Sequence, residues 1–486
     1  MTRYTSMKSL ANGLWTLPLA LSVALVGCGG TAASETSDGG TQTTLEQVVD
    51  ETESEPFSLT RDDISIEQTI SDDADESHAI TADGTTDSYH NVEVTKTGDA
   101  DGDEADFYGT NAAVFATNGA TLDLSDMVVT SDGTHANAVF SYGEDTTVNI
   151  EHSVIETTGN CSGGIMVTGG GTLNATDLAI HTTGNSSAAI RSDRGGGTQN
   201  VTGGTYVTDG TGSPVIYSTA DVTVSDATLT STASQGVVVE GKNSVTLHDV
   251  DLTASNTTKN SDKSDWYQAV MIYQSMSGDA AEGEASFAMD GGTLTNKNGE
   301  VFFVNNTVAT ISLDNVAVTN EDTDGVLLRA AAAGWGSEGS NGGHVTLELA
   351  DEELTGDIVV DSVSELNAYL TDGTSYTGAI NAANEGSVYV EIESGSTWTL
   401  TGDSYVTALT CDADAIDLNG HTLYVNGEAY AEGSASTGEA IEFTVSSGGG
   451  MGEAPGMPGD GSEPPAKPDG EGGPGAGGEP PAKPGE

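Results

Sequence analysis

Short apolar triplets return along this chain about every 25 residues: Ala113-Val114-Phe115, Ala138-Val139-Phe140, Gly164-Ile165-Met166, Ala189-Ile190-Arg191, Pro214-Val215-Ile216, Gly236-Val237-Val238, Ala269-Val270-Met271, Glu300-Val301-Phe302 and Gly325-Val326-Leu327. Behind each triplet comes a segment in which apolar and polar residues alternate, such as Thr121-Leu122-Asp123-Leu124 or Val245-Thr246-Leu247. A third short run follows, such as Val128-Val129-Thr130 or Val154-Ile155-Glu156-Thr157. Alternation with period two puts one side of each run inside. A fixed period of this length marks stacked repeats, none of which buries its apolar face alone. Three strands per turn of about 25 residues predict an all-β solenoid, a parallel β-helix. With rungs about 4.8 Å apart, about ten to fourteen of them would make a rod roughly 50–65 Å long.

Two steps in the rhythm, Val237 to Val270 and Val270 to Val301, exceed a normal rung, and such insertions map to loops on one face. The first, Asn256 to Trp266, carries Lys259, Lys263 and Trp266 and is followed by Tyr267; the second runs from Ser275 to Glu284. A third irregular stretch, Ala330 to Gly343, contains Trp335. Aromatic residues on loops of a rigid scaffold are platforms for sugar rings, so Trp266, Tyr267 and Trp335 are candidate ligand contacts. Before the third strand stands a column of Asp126, Asp177, Asp226 and Asp249, with His152 in register. Asp at such bends serves the backbone N–H groups of the turn. A Thr column, Thr130, Thr157, Thr182, Thr208, Thr230 and Thr253, reads as strand chemistry.

Composition supports the strands: 5% of residues are aromatic and 64 are Gly. Charge narrows the partners. With 13 Lys+Arg against 75 Asp+Glu, the formal net charge is −62, which argues against nucleic acid and against an anionic membrane surface. The chain opens with Arg3 and Lys8, then an apolar stretch from Leu14 to Val26 too short for an ordinary spanning helix. It ends in Leu25-Val26-Gly27-Cys28, which resembles a bacterial lipobox and implies lipidation of Cys28.

The expected organisation is a lipoprotein signal peptide (1–27), a flexible acidic tether (28–56), an N-terminal cap with the first rungs (57–108), a regular β-helix (109–350), C-terminal rungs (351–446) and a Gly/Pro-rich tail (447–486). Toward the C-terminus the chain reads Gly395-Ser396-Thr397-Trp398-Thr399-Leu400-Thr401-Gly402-Asp403-Ser404. There it resembles the passenger domains of pertactin-like autotransporter adhesins, in which such strands close a right-handed β-helix. The resemblance covers about 80 residues, and no translocator barrel follows it. It implies a right-handed coil and non-catalytic adhesion to an extracellular glycan or protein, with membrane attachment through the lipid alone.

Three further groups carry candidate chemistry. Asp99, Asp101, Asp103 and Asp106 put several carboxylates in one stretch, as a hard cation such as calcium requires, although Glu104 stands where an EF-hand loop needs Gly. A solvated acidic loop is the plainer reading. Arg191, Asp193 and Arg194, followed by three glycines, could clamp a carboxylated sugar or form a surface ion network. Parallel β-helices also include pectate-lyase-like enzymes, so a polysaccharide-binding or polysaccharide-cleaving protein, with or without calcium, is the alternative. Cys161 and Cys411 stand too far apart in such a solenoid to be bridged and read as buried thiols.

Overall fold

The computed structural model describes residues 57–259 and 262–443, all within one compact unit. Cys28, the tether and the tail lie outside them. The fold is a right-handed parallel β-helix with three strands per rung. The triplets form an eleven-stranded sheet from Ile80–Asp83 to Asp357–Val360, here the triplet sheet. The alternating segments form thirteen strands, from Thr86–His90 to Ala408–Cys411. The third runs form ten, from Gln68–Asp72 to Ala317–Asn320. Pairing within all three is parallel, and the thirteen strands span about 60 Å at the usual strand spacing.

Inward positions of the triplet sheet line up as Val114, Val139, Ile165, Ile190, Ile216, Val237 and Val270. With Leu122, Val148 and Leu173 of the alternating sheet they belong to one continuous buried core. Beyond Val270 the expected alignment slips. Its partner is Phe302, not Val301, and the next is Leu328, not Val326, because the long preceding loop resets the strand and a bulge falls between Val326 and Leu328.

The Thr column divides in two. Thr157, Thr182 and Thr208 stack with Ser131 and Ser231 and are buried, whereas Thr130, Thr230 and Thr253 belong to the neighbouring, more exposed position. The buried hydroxyls serve the next bend: Thr157 Oγ1 donates to the Ser162 carbonyl at 2.6 Å and Thr208 Oγ1 to that of Ser213 at 2.7 Å.

The Asp column is a left-handed corner. Asp126, His152, Asp177, Asp226 and Asp249 have φ between 44° and 55°, and Gly203 and Gly291 take the same corner at 68° and 64°. Asp and Gly tolerate this region where branched residues do not.

The corner is repeated at Asp351, and Glu352 beside it is buried. Its Oε1 accepts the Val316 N–H at 2.8 Å, while Oε2 has no hydrogen-bond partner. Burial first, then the nearby Asp314 and Asp351, push this carboxyl up to about 7. A folded-state value above the unfolded one means that the native state holds the proton longer, so stability falls as pH rises from about 4.5 through 7. Glu352→Gln is expected to remove that slope and to stabilise the protein at pH 8 by about 1–2 kcal/mol, after allowance for solvent screening. Urea unfolding of both proteins across this range checks it.

Two short elements depart from the all-β expectation. Arg61–Asp63 is a 3-10 turn, and Glu104–Tyr108 forms a single α-helical turn, with acids in its first turn and Gly109 in the left-handed conformation at its end. At the other end, the ten-stranded sheet of third runs gives way to a four-stranded sheet, from Glu353–Thr355 to Ile416–Asp417, that includes Thr397–Thr399. The antiparallel pair Leu423–Val425 and Glu428–Ala429 follows, changing the strand direction at the end of the stack.

Candidate functional site on the outer face of the triplet sheet

An outward-facing strand position on a solenoid is ordinarily polar and wet. Here the outward column of the triplet sheet reads Phe115, Phe140, Met166, Arg191, Tyr217, Val238, Met271, Phe303 and Arg329. Most of it is buried. The Glu104–Tyr108 helix and the two irregular stretches after Tyr273 and Ala330 contribute residues to the same face.

At the N-terminal end the helix turns Asp106 inward. Its Oδ1 accepts Arg191 Nη1 at 3.1 Å and Asn137 Nδ2 at 3.2 Å; its Oδ2 lies 2.9 Å from His135 Nδ1 and 3.1 Å from Arg191 Nη2. Arg191 also donates to the Cys161 carbonyl at 3.0 Å and pairs with Asp193 at 3.4 Å. Room for the guanidinium stem comes from Gly163, where a Cβ would sit 3.3 Å from Arg191 Cδ. Burial alone would raise the Asp106 carboxyl, but Arg191 and then His135 hold it below the ordinary range. Burial likewise opposes charge on His135, yet the Asp106 carboxylate and the Cys161 side chain keep the imidazolium to about 10. Asp193 goes the other way: burial pushes it up to about 7 and Arg191 offsets this only in part.

The middle of the face is a second polar knot. Arg194 stacks on Phe107, 3.9 Å from the ring centre, and reaches Asp279 of the folded-back loop at 2.7 Å. Buried Glu240 accepts the hydroxyls of Tyr217, Tyr273 and Ser275, Tyr273 at 2.9 Å, and burial raises its carboxyl.

At the C-terminal end the two aromatic loops meet. A cavity of about 30 Å³ is bordered by Trp266, Tyr267, Trp335, Lys259, Gln268 and Met271, among others. Trp266 is half-buried under Arg329, 4.6 Å from the ring centre, and Arg329 pairs with Glu300 at 2.7 Å. Tyr267 is half-buried, with Lys259 Nζ 5.3 Å from its ring centre. Trp335 is buried against Tyr273, 5.2 Å between ring centres, with Lys263 Nζ 6.0 Å from its ring. Two buried polar atoms on residues bordering this cavity, Trp335 Nε1 and Gln268 Oε1, lack a hydrogen-bond partner. Beyond Trp335 the same loop borders an open depression of about 520 Å³ that includes Glu338, Asn341 and Asp361.

The candidate residues therefore separate. Arg191, Asp193 and Arg194 do lie together, but in a covered ion network rather than on the surface. Trp266, Tyr267 and Trp335 come together as one cluster. The four acidic residues do not converge: Asp106 faces Arg191, whereas Asp99 is exposed and its Oδ1 accepts the Thr134 N–H at 2.7 Å. Asp101 is exposed and Asp103 precedes the helix as its N-cap. Among the described residues, Asp106, His135 and Cys161 bring three donor side chains within 4.8 Å of one another. Cys161 and Cys411 are both free and buried. His135, Cys161, Glu240 and Asp279 carry no local motif; only a correct alignment of successive rungs would have placed the first two side by side.

Compared with family models, with curated proteins and with solved structures, the chain matches none.

Proposed function

We propose that this protein is a lipid-anchored surface binding protein of adhesin type, attached through Cys28, that recognises an extracellular glycan without cleaving it. The observation that carries this reading is the cluster of Trp266, Tyr267 and Trp335 with Lys259, set beside an open depression on a rigid rod. Half-buried rings offer an apolar edge to a sugar face, and the unpartnered Trp335 Nε1 and Gln268 Oε1 are polar groups for a hydroxyl or a bridging water. A net charge of −62 repels acidic chains, which favours a neutral sugar over a carboxylated one. The lyase-like alternative asks Arg191 to act on substrate, but Asp106, Asp193 and the Cys161 carbonyl already occupy its guanidinium.

The test is a glycan array probed with the purified chain, in calcium and in chelator, with release of new chain ends assayed in parallel. Retention without new ends is expected. Trp266→Ala is expected to weaken it about tenfold, the loss of one aromatic contact. Calcium-dependent cleavage would replace this reading with the enzymatic one. Loss of retention in chelator would show that calcium takes part in binding, at a place other than the dispersed Asp99, Asp101 and Asp103. Silence on the array would point to a protein ligand.

A further inference from the structure

The corner that precedes each triplet strand is a left-handed one, occupied in successive rungs by His135, Cys161, Ser186 and Gly212, with φ of 53°, 57°, 55° and 64°. The N–H of each of the first three bonds to the carbonyl in front of the next corner: His135 to Asn160, Cys161 to Asn185, Ser186 to Thr211. Serine and glycine serve this corner equally, so its backbone geometry does not explain a histidine stacked on a cysteine. Asp106 is brought to the same point by the one described α-helix, and its carboxylate, the His135 ring and the Cys161 sulfur all come within 4.8 Å of one another.

We propose that Asp106, His135 and Cys161 form a binding site for a zinc-class divalent cation, supplying oxygen, nitrogen and sulfur to three of four tetrahedral positions. Zinc bonds of about 2.0–2.3 Å in a tetrahedron set donor atoms roughly 3.3–3.5 Å apart, so His135 Nδ1 and Asp106 Oδ2, at 2.9 Å, need to open slightly, while the Cys161 sulfur lies within 4.8 Å of both. A thiolate and an imidazole select this class of ion over calcium.

The surroundings suit the role. Asn137 and Arg191 both donate to Asp106 Oδ1, which fixes the carboxylate plane and leaves Oδ2 turned to His135, an arrangement of outer hydrogen bonds that orients a ligand. Arg191 also approaches Oδ2, at 3.1 Å, and its charge opposes any cation; its pairing with Asp193 as well as Asp106 offsets that repulsion. A nucleophilic role for Cys161 is less suited to this place, because the thiol is buried. The site stands apart from the aromatic cluster and does not depend on the glycan reading.

The experiment adds cobalt, and separately zinc, to the purified full-length chain freed of metal. Expected are one equivalent bound, a thiolate-to-cobalt charge-transfer band with the visible bands of a tetrahedral site, and a raised unfolding midpoint with zinc. Cys161→Ser is expected to abolish the thiolate band, His135→Gln to weaken binding at least tenfold, and Cys411→Ser to leave both unchanged. Circular dichroism of the metal-free variants establishes that they fold, and the wild-type cobalt spectrum stands by itself if one does not. Cobalt uptake without a thiolate band, a band that survives Cys161→Ser, or no uptake would overturn the proposal. So would alkylation of Cys161 in the folded protein that zinc does not slow, which would mark a free thiol.

Discussion

Arg191→Met is expected to destabilise the protein by about 3–5 kcal/mol, because it leaves Asp106 and Asp193 buried without their shared cation. Removing one member of a buried ionic group costs more than the group contributed. The methionine itself is tolerable, since Met166 occupies the adjacent rung in the same column. Arg191→Lys should fall between, because an ammonium cannot present two parallel donors to the Asp106 carboxylate. Adding Asp106→Asn and Asp193→Asn to Arg191→Met is expected to recover most of the loss. Denaturant unfolding of the single, conservative and triple variants measures the series. An Arg191→Met protein as stable as the wild type would mean that the guanidinium is free in solution, available to a ligand after all.

Trp398→Ala is the second large effect, about 3–5 kcal/mol for truncating a fully buried aromatic. The indole donates Nε1 to the Gly378 carbonyl at 2.9 Å and lies 6.4 Å from the Tyr376 ring, so the change opens a cavity and orphans a carbonyl. In a solenoid each rung leans on its neighbours, and damage should therefore stay local. Hydrogen exchange is expected to lose protection around the strands Ser375–Thr377, Thr397–Thr399 and Ile416–Asp417 while the rungs holding Val114, Val139 and Ile165 keep theirs. Loss of protection along the whole rod would instead show one cooperative unit.

The strands were legible because period-two alternation and the 25-residue return both act on side chains that must face inward. The bend at the Asp column was legible, but its cause was not: turn chemistry assigns the carboxylates to turn N–H groups, whereas the column shares left-handed backbone angles and the Asp126 carboxylate meets His90 and His152. What could not be read was which outward positions are covered. Arg191 looks the same in a sequence whether water or a helix lies over it, and the covering turn, Glu104–Tyr108, is too short to leave a helical period. The acidic residues suggested an open loop for the same reason; Asp106 differs from Asp101 only in facing Arg191, whose number is remote from its own. Alignment failed by one or two residues beyond Val270, where a long loop and a bulge break the count.

One covered face carries an ionic end that holds the fold and an aromatic end that we propose as the ligand site. The most direct test is a binding isotherm for the glycan retained on the array, measured for wild type, Trp266→Ala and the refolding Arg191 triple variant below their unfolding midpoints. About tenfold weaker binding is expected for Trp266→Ala and wild-type affinity for the triple variant. Full affinity in Trp266→Ala together with loss of binding in the triple variant would contradict the proposal and move the site to Arg191.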